Sequence, residues 1–540
     1  MRPRSLRRFA AAVAAAALAV VALPTAPADA VTYVPLQGDG STWAEPAISQ
    51  WARDEVPAGI HINFTPDGSA QGRSHYASNQ NDFAATDIAF LTQGDPFGGG
   101  IERSQYSYSY IPIVAGGTTF VYNLTVGGRK ITNLRLSGGT LARIFTGAIT
   151  NWDDPAITHD YGAALPSQPI TVVTRSDGSG ASYMFTQWLS KQYTALWNSF
   201  CAAHGGPRTS CPPTEFYPGF GSSIQKNGSD QVASFLASPV GEGSIGYDEY
   251  AYALNYGIPA VKVLNAKGYY TLPTASNVAI ALTLAKINTD PASVNFLMQD
   301  LTHVYTNPDA RAYPLSSYSY LIIPRDSTVT NSPAPPRFTN AKGATLSTWL
   351  NYVLCGAQQK AGSMGYSPLP KNLVVGGFQQ VDHMPGHVAT PDQTQLNGCD
   401  NPTYSNGVNH LIVDAPQPSP CDAAAAPLNC TVVGGKAVSI GSGSTGGSGT
   451  SGTGGTGTGP TSGTGASGNP FASAGIDPNT GQVLSGGASV AQNVYAEPVS
   501  VASRPAQQWL LGTLTAVELL AAVVAPVVVG SWLRRRRKQG

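Results

Sequence analysis

Arg175-Ser176-Asp177-Gly178-Ser179-Gly180-Ala181, running into Ser182-Tyr183-Met184-Phe185-Thr186-Gln187-Trp188-Leu189, is the stretch whose reading decides the fold. Ahead of it, Ile170-Thr171-Val172-Val173-Thr174 is β-branched and bounded by Pro169, as a short buried strand would be. Behind it, Tyr183, Met184, Phe185, Trp188 and Leu189 recur at helical spacing, so a helix starts inside the stretch with Asp177 or Ser179 as its cap. The two glycines let the backbone approach whatever sits at that helix start.

A helix N-terminus offers unpaired N–H groups and the positive end of the helix dipole, both of which favour an anion. Arg175 adds a guanidinium fork suited to a tetrahedral oxyanion. Asp177 repels a fully ionised guest unless it orients Arg175 or accepts a proton that the guest still carries. Phosphate keeps a proton near neutrality and sulfate does not. An acidic acceptor therefore separates the two, because the wrong guest leaves a buried carboxylate unpaired. The same residues also suit an ordinary capped turn between strand and helix.

The run resembles the R-x-D-G-S-G-T signature of the phosphate-binding proteins that serve phosphate ABC transporters, the PstS type, in an actinobacterial-like form with a C-terminal membrane anchor. Ala181 stands where that family has Thr, so one hydroxyl is absent while the N–H remains. Three earlier segments extend the resemblance. Gly38-Asp39-Gly40-Ser41-Thr42-Trp43 is similar to G-x-G-x-T-F and implies Thr42 and Trp43 as phosphate contacts. It follows a strand expected at Thr32-Tyr33-Val34 and precedes a helix with apolar face Ala47, Ile48, Trp51 and Ala52, capped by Ser41 or Thr42. Gly68-Ser69-Ala70-Gln71-Gly72 is similar to G-S-x-x-G and implies Ser69 as a donor. Asp82-Phe83-Ala84-Ala85-Thr86-Asp87 resembles D-F-G-A-S-D, which implies that Asp87 accepts a proton of the ligand. With Arg175, Asp177, Ser179, Gly180 and Ala181 these complete the implied ligand set, with no catalytic or metal residues.

Further blocks carry packing. Leu136 to Gly147 reads as a capped short helix burying Leu141, Ile144 and Phe145, and with Ile149-Thr150-Asn151-Trp152-Asp153-Asp154-Pro155 it resembles a family block. Gly243 to Ala253 matches G-S-I-G-Y-x-E-Y-A-Y-A, with its tyrosines expected in the core and between lobes. Gly365-Tyr366-Ser367-Pro368-Leu369-Pro370 resembles the family's end signal. Helical patterns run over Ala275–Asn288, Ser293–Thr306 and Thr345–Gly362, and Tyr313 to Pro324 holds a strand.

Arg2, Arg4, Arg7 and Arg8 precede an apolar run ending at Leu23, and Ala28-Asp29-Ala30 is an A-x-A site, so residues 1–30 read as a secretory signal peptide. Trp509 to Leu533 is long and apolar enough for a membrane helix, with Glu518 its one charge, and Arg534-Arg535-Arg536-Arg537-Lys538 sets the end on the cytoplasmic side. Residues 434–489 are dominated by Gly, Ser and Thr. They read as a flexible linker with an end-to-end distance of about 40 Å. All six cysteines fall on the exported side; proximity pairs Cys201 with Cys211 and Cys421 with Cys430, leaving Cys355 with Cys399, though six cysteines admit other pairings. Lys plus Arg (31) equals Asp plus Glu (31), which argues against a nucleic-acid partner.

The alternation of strands and helices predicts an α/β, two-lobed periplasmic-binding-protein-like fold of type II, each lobe a mixed sheet flanked by helices, with two interlobe crossings. Lobe I is expected over 31–117 and 274–390. Lobe II is expected over 118–273, the first crossing being a strand, Gly116-Gly117 break, strand between Ile111 and Asn123. A disulfide-bonded extension follows over 391–433, then the linker, a transmembrane helix at 509–533 and a basic tail at 534–540. The implied function is high-affinity capture of inorganic phosphate outside the cell and delivery to an ABC permease and ATPase complex. The protein is expected to be a monomer held to the extracellular face of the membrane by its C-terminal helix. Alternatives are a surface-anchored phosphate-sensing or adhesion protein, or a receptor for another oxyanion. Scattered histidines and the lack of a G-x-S-x-G or H-E-x-x-H run argue against an enzyme, and no cofactor is expected.

Overall fold

The computed structural model describes residues 33–326, 332–392, 396, 399–405 and 408–440. The expected signal peptide, most of the linker, the membrane helix and the basic tail lie outside the described residues. Among the described residues, no helix is long and apolar enough to cross a membrane.

Three parallel strands open the chain: β1 (Leu36–Gly40), β2 (Ile62–Thr65) and β3 (Phe83–Thr86), with α1 (Glu45–Glu55) and α2 (Ser69–Ala77) between them. The first strand thus lies later than Thr32-Tyr33-Val34 and includes the Gly-Asp-Gly run itself. Helix α1 buries Ala47, Ile48, Trp51 and Ala52, but Ala44 is its N-cap, with no side-chain cap bond. The Ser41 Oγ accepts the Ala44 N–H at 3.4 Å just ahead of the helix, and the hydroxyls of Ser41 and Thr42 also bond across the site, as described below.

Strand β4 (Tyr108–Asn123) runs sixteen residues without interruption, so the expected break at Gly116-Gly117 is not there. The glycines serve packing instead. A Cβ on Gly116 would lie 2.6 Å from Trp43 Cη2, and one on Gly117 would lie 2.4 Å from Pro273 Cβ.

Next come α3 (Gly138–Phe145), capped by Ser137, and α4 (Pro155–Tyr161), capped by Asp154. Leu141, Ile144 and Phe145 are fully buried. Then follow β5 (Thr171–Arg175), α5 (Gly180–Gln192), β6 (Ile224–Lys226), α6 (Gly228–Ala237), β7 (Ser244–Glu249) and α7 (Tyr250–Tyr256). The return passes through α8 (Ala275–Ala281) to β8 (Ser316–Pro324), α9 (Asn340–Leu354) and α10 (Lys371–Val381).

The helical spacing over Ser293–Thr306 forms no α-helix. Asn288, Asp290, Ser293 and Asp300 each accept the backbone N–H two residues on, at 2.9–3.1 Å. Such turns compete with helix, and the segment becomes the short strand Gln299–Asp300, paired with Lys286–Ile287, and a 3₁₀ turn at Val304–Thr306.

Strand order in the main sheet is β2-β1-β3-β8-β4-β7-β5-β6. The first half of β4 pairs with β8 as far as Gly117, and from Thr118 it pairs with β7. Strands β1 to β3 run with β4 and end near its middle, since Thr86 pairs with Tyr320 and Tyr320 with Pro112. Strands β5 to β7 run against β4 and also end near its middle, where Glu249 pairs with Thr118. The carboxyl ends of two parallel strand groups therefore face one another across the centre of one strand. In α/β sheets that is where ligands gather.

Disulfides join Cys201 to Cys211, Cys355 to Cys399 and Cys421 to Cys430, the pairing that proximity suggested. The last described segment docks on the head: Arg135 donates to the Ala426 carbonyl at 2.7 Å, and Lys262 pairs with Asp422 at 2.7 Å.

Candidate functional site

At the end of β5, Arg175 is almost fully buried and forks onto Asp177, with Nε donating to Oδ1 at 2.7 Å and Nη2 donating to Oδ2. Its other bonds leave the local turn. Nη1 donates to Ser229 Oγ at 3.1 Å, and Nη2 donates to Thr42 Oγ1 at 2.8 Å. Thr42 and Ser229 hydroxyls are themselves 3.1 Å apart. Asp177 also accepts the Gly228 N–H at 2.9 Å, so it orients Arg175 and tethers the start of α6.

Alongside, Asp87 follows β3 and is almost fully buried. It accepts hydroxyl bonds from Ser41 at 2.9 Å, Ser69 at 3.1 Å and Ser319 at 2.7 Å. Ser319 reaches it because the β4–β8 register shifts between Ser319 and Tyr320, a bulge that re-aims the side chain. Across the cleft stands Gly180, where a Cβ would fall 2.3 Å from Asp87 Oδ2 and 2.6 Å from Ser69 Oγ. No other side chain fits there.

Three helix starts converge on this region: α2 through Ser69, α5 through Gly180 and α6 through Ser229. Each brings a positive dipole end, and first-turn N–H groups of α2 and α6 already donate here: Ala70 to the Gly178 carbonyl, Gly228 to Asp177 and Ser229 to Thr42. Against them stand three buried acids, Asp87, Asp248 and Glu249, and the part-buried Asp177. Burial raises Asp87, while Ser319, Ser41, Ser69 and the Arg175 charge pull it back. Burial likewise opposes ionisation of Asp177, but the adjacent Arg175 overcomes it and holds that carboxyl below its ordinary value. Asp248 is pushed up to about 8 by burial, against the pull of Arg175. Glu249 is raised by burial and by Asp248 beside it. Helix dipoles and Arg175 thus favour an anion, while Asp87 offers an acceptor for a proton on it.

The remaining expected residues are placed as follows. Trp43 is buried edge-on against Tyr366, ring centroids 5.5 Å apart, and its carbonyl accepts the Tyr366 hydroxyl at 2.6 Å. Ser179 caps α5 by accepting the Ser182 N–H at 3.3 Å. Ala181 is buried in the first turn of α5. Asp39 is engaged elsewhere, with His75 at 2.6 Å and Asn81 at 2.6 Å.

Ser41, Ser229, Ser319 and Asp248 are not among the site residues expected from the sequence, where Ser41 reads only as a helix cap. A signal for two of them was present. Asp39-Gly40-Ser41, Asp67-Gly68-Ser69, Asp177-Gly178-Ser179 and Asn227-Gly228-Ser229 repeat one pattern, and each closes a parallel strand of the sheet. Ser319 and Asp248 lie within strands and carry no such mark.

The fold is that of a two-lobed binding protein, and residues 24–357 match the PBP superfamily domain. The phosphate-binding protein PstS of Xylella fastidiosa (strain Temecula1) is 30% identical over 350 residues, covering 64% of this chain and 85% of that protein. Phosphate-binding protein PstS 3 of Mycobacterium leprae is 27% identical over 346 residues, covering 63% and 84%. A crystal structure of a phosphate binding protein from Stenotrophomonas maltophilia superposes with a TM-score of 0.45 at 16% identity, covering 70% of this chain and 99% of that one. The chain belongs to the PBP superfamily and, within it, to the phosphate-binding protein PstS family. This is a family of substrate-binding transport proteins.

Proposed function

We propose that the chain binds inorganic phosphate outside the cell and hands it to an ABC-type permease and ATPase. Thr42, Trp43, Ser69, Asp87, Arg175, Asp177, Ser179, Gly180 and Ala181 are the proposed ligand set, and we add Ser41, Ser229 and Ser319. Trp43 and Ala181 would contribute backbone N–H groups. The observation that carries this reading is Arg175: clamped by Asp177, it bonds Thr42 from the facing strand group, beside an Asp87 that holds three hydroxyls. A phosphate that keeps a proton satisfies Asp87, and a sulfate does not.

In this reading lobe I spans 31–117 and 274–390, and lobe II spans 118–273. The chain acts as a non-enzymatic monomer, exported by residues 1–30 and tethered through residues 434–489 to a membrane helix at 509–533. Calorimetry with phosphate, arsenate and sulfate tests the ligand. Phosphate and arsenate should bind at least about 100-fold more tightly than sulfate, and equal sulfate affinity overturns the assignment. Membrane fractionation of cells expressing the full chain and a chain ending at residue 508 tests the anchor, which is wrong if both sediment alike.

A further inference from the structure

Behind the site lies a second polar contact between the two strand groups. Arg73, on α2, is fully buried. Its Nε and Nη2 fork onto Glu102 at 2.8 and 2.9 Å, and Nη2 also meets Glu215 Oε2 at 2.5 Å. Glu102 precedes β4 on the side of β1 to β3, whereas Glu215 lies between α5 and β6. Asp95, from the same loop as Glu102, completes the contact: it accepts the Thr214 hydroxyl at 2.6 Å and the Glu215 N–H at 2.8 Å.

This contact reaches both halves of the ligand site through single bonds. Arg73 Nη1 donates to Thr86 Oγ1 at 3.1 Å, and Thr86 is the residue before Asp87. The Glu215 carbonyl accepts the Ser179 N–H at 3.1 Å, and Ser179 is the cap of α5. Helix α2 itself begins at Ser69.

We infer that Arg73 is a positioning residue: by pairing with Glu215 across the cleft it ties the strand end that carries Asp87 to the helix start that carries Ser179 and Gly180, holding the closed arrangement of both half-sites. The Arg73–Glu102 pair lies within one strand group and survives opening. The Arg73–Glu215 pair and the two Asp95 bonds join the groups and are made only when they meet. Burial raises Glu215 to about 7 against the pull of Arg73, with Glu102 and Asp95 adding to the rise, and the guanidinium pairs with both Glu215 and Glu102. Withdrawing the guanidinium leaves Glu215 buried beside the partly buried Glu102 and Asp95 with no cation between them, which disfavours closure. Because the clasp forms after encounter, its loss is read in ligand release.

This inference rests on the phosphate reading for its first measurement. Stopped-flow kinetics on the full chain should show Arg73→Met releasing phosphate at least about tenfold faster, with association unchanged within about twofold. Glu215→Gln should shift release in the same direction, and it serves should Arg73→Met fail to fold. Arg73→Lys, which keeps the charge and loses the fork, should fall between. A role in folding alone would lower thermal stability and leave release unchanged, and unchanged release in folded variants overturns the inference. A second measurement needs no ligand. Spin labels on Ser78→Cys and Gln231→Cys, exposed positions at the C-cap of α2 and on α6, should report longer distances in the Arg73→Met and Glu215→Gln chains than in the parent. Should the parent bind no phosphate, the ligand assignment falls and the label distances still decide: longer distances support the clasp, identical ones overturn it.

Discussion

Arg175 and Thr42 come from opposite strand groups and are joined by a 2.8 Å hydrogen bond from Nη2 to Oγ1. The bond is possible because β5 and β1 run in opposite senses and both end at the middle of β4. Four predictions follow from the surroundings of this pair.

Arg175→Ala removes the guanidinium that Thr42 and Ser229 meet and leaves the part-buried Asp177 without its ion-pair partner. Charge-assisted bonds contribute about 1.5–3 kcal/mol each, so phosphate affinity should fall by at least about 100-fold. The carboxylate, left with the Gly228 N–H alone, should also lower stability by about 1–3 kcal/mol. Calorimetry and urea unfolding read the two effects separately.

Gly180→Ala places a methyl group 2.3 Å from Asp87 Oδ2 and 2.6 Å from Ser69 Oγ. The backbone at 180 is ordinary first-turn helix, so the substitution strains nothing locally. Binding should weaken by at least about 100-fold while the thermal midpoint without ligand stays within a few degrees. A variant that binds like the parent would show that the half-sites need not approach so closely.

Asp87→Asn keeps the shape of the acceptor and removes its charge. The penalty against a guest with no proton disappears, so sulfate should gain on phosphate. Competition calorimetry should find the phosphate-to-sulfate ratio reduced by at least about tenfold, and an unchanged ratio would remove Asp87 from the discrimination.

Asp248 gives stability a pH dependence of known sign. Its carboxyl is pushed up to about 8 in the folded chain, mainly by burial. The unfolded chain releases that proton near pH 4, so the folded form binds the extra proton between about pH 4 and pH 8. This contribution is complete at low pH and is lost as pH rises through 8. Asp177 has the opposite sign, since its lowered value makes its contribution present above about pH 4 and lost only below that. Asp248→Asn should therefore gain on the parent from pH 5 to pH 8 by up to about 1.4 kcal/mol per pH unit. Urea unfolding across that range checks it, and parallel curves for the two chains would refute it.

Much of the local structure was legible in the residues. The β-branched run before Arg175 and the helical spacing after it mark a strand turning into a helix, and a strand ends at Arg175 with Ser179 capping a helix. The capped helix over Gly138–Phe145 was legible for the same reason: its cap and its apolar face are neighbours in sequence. Where short polar side chains could bond their own backbone, spacing misled. Ser293–Thr306 has helical periodicity, and its Asx-type turns prevail. Gly116-Gly117 read as a break because two glycines usually end a strand, whereas here they make room for Trp43, Tyr366, Pro273 and Tyr313.

The sequence by itself determined the strand-to-helix turns, the cysteine pairs close along the chain and the D-G-S pattern that puts hydroxyls at strand ends, since each depends on residues a few positions apart. Only the tertiary structure decided that Thr42 meets Arg175, that Ser319 and Ser41 share Asp87, and that Arg73 spans to Glu215. Those contacts depend on sheet order and on one bulge in β4–β8, and both are set by packing among segments separated by tens to hundreds of residues. Local propensity carries no record of such partners; burial and the need to pair each buried charge select them.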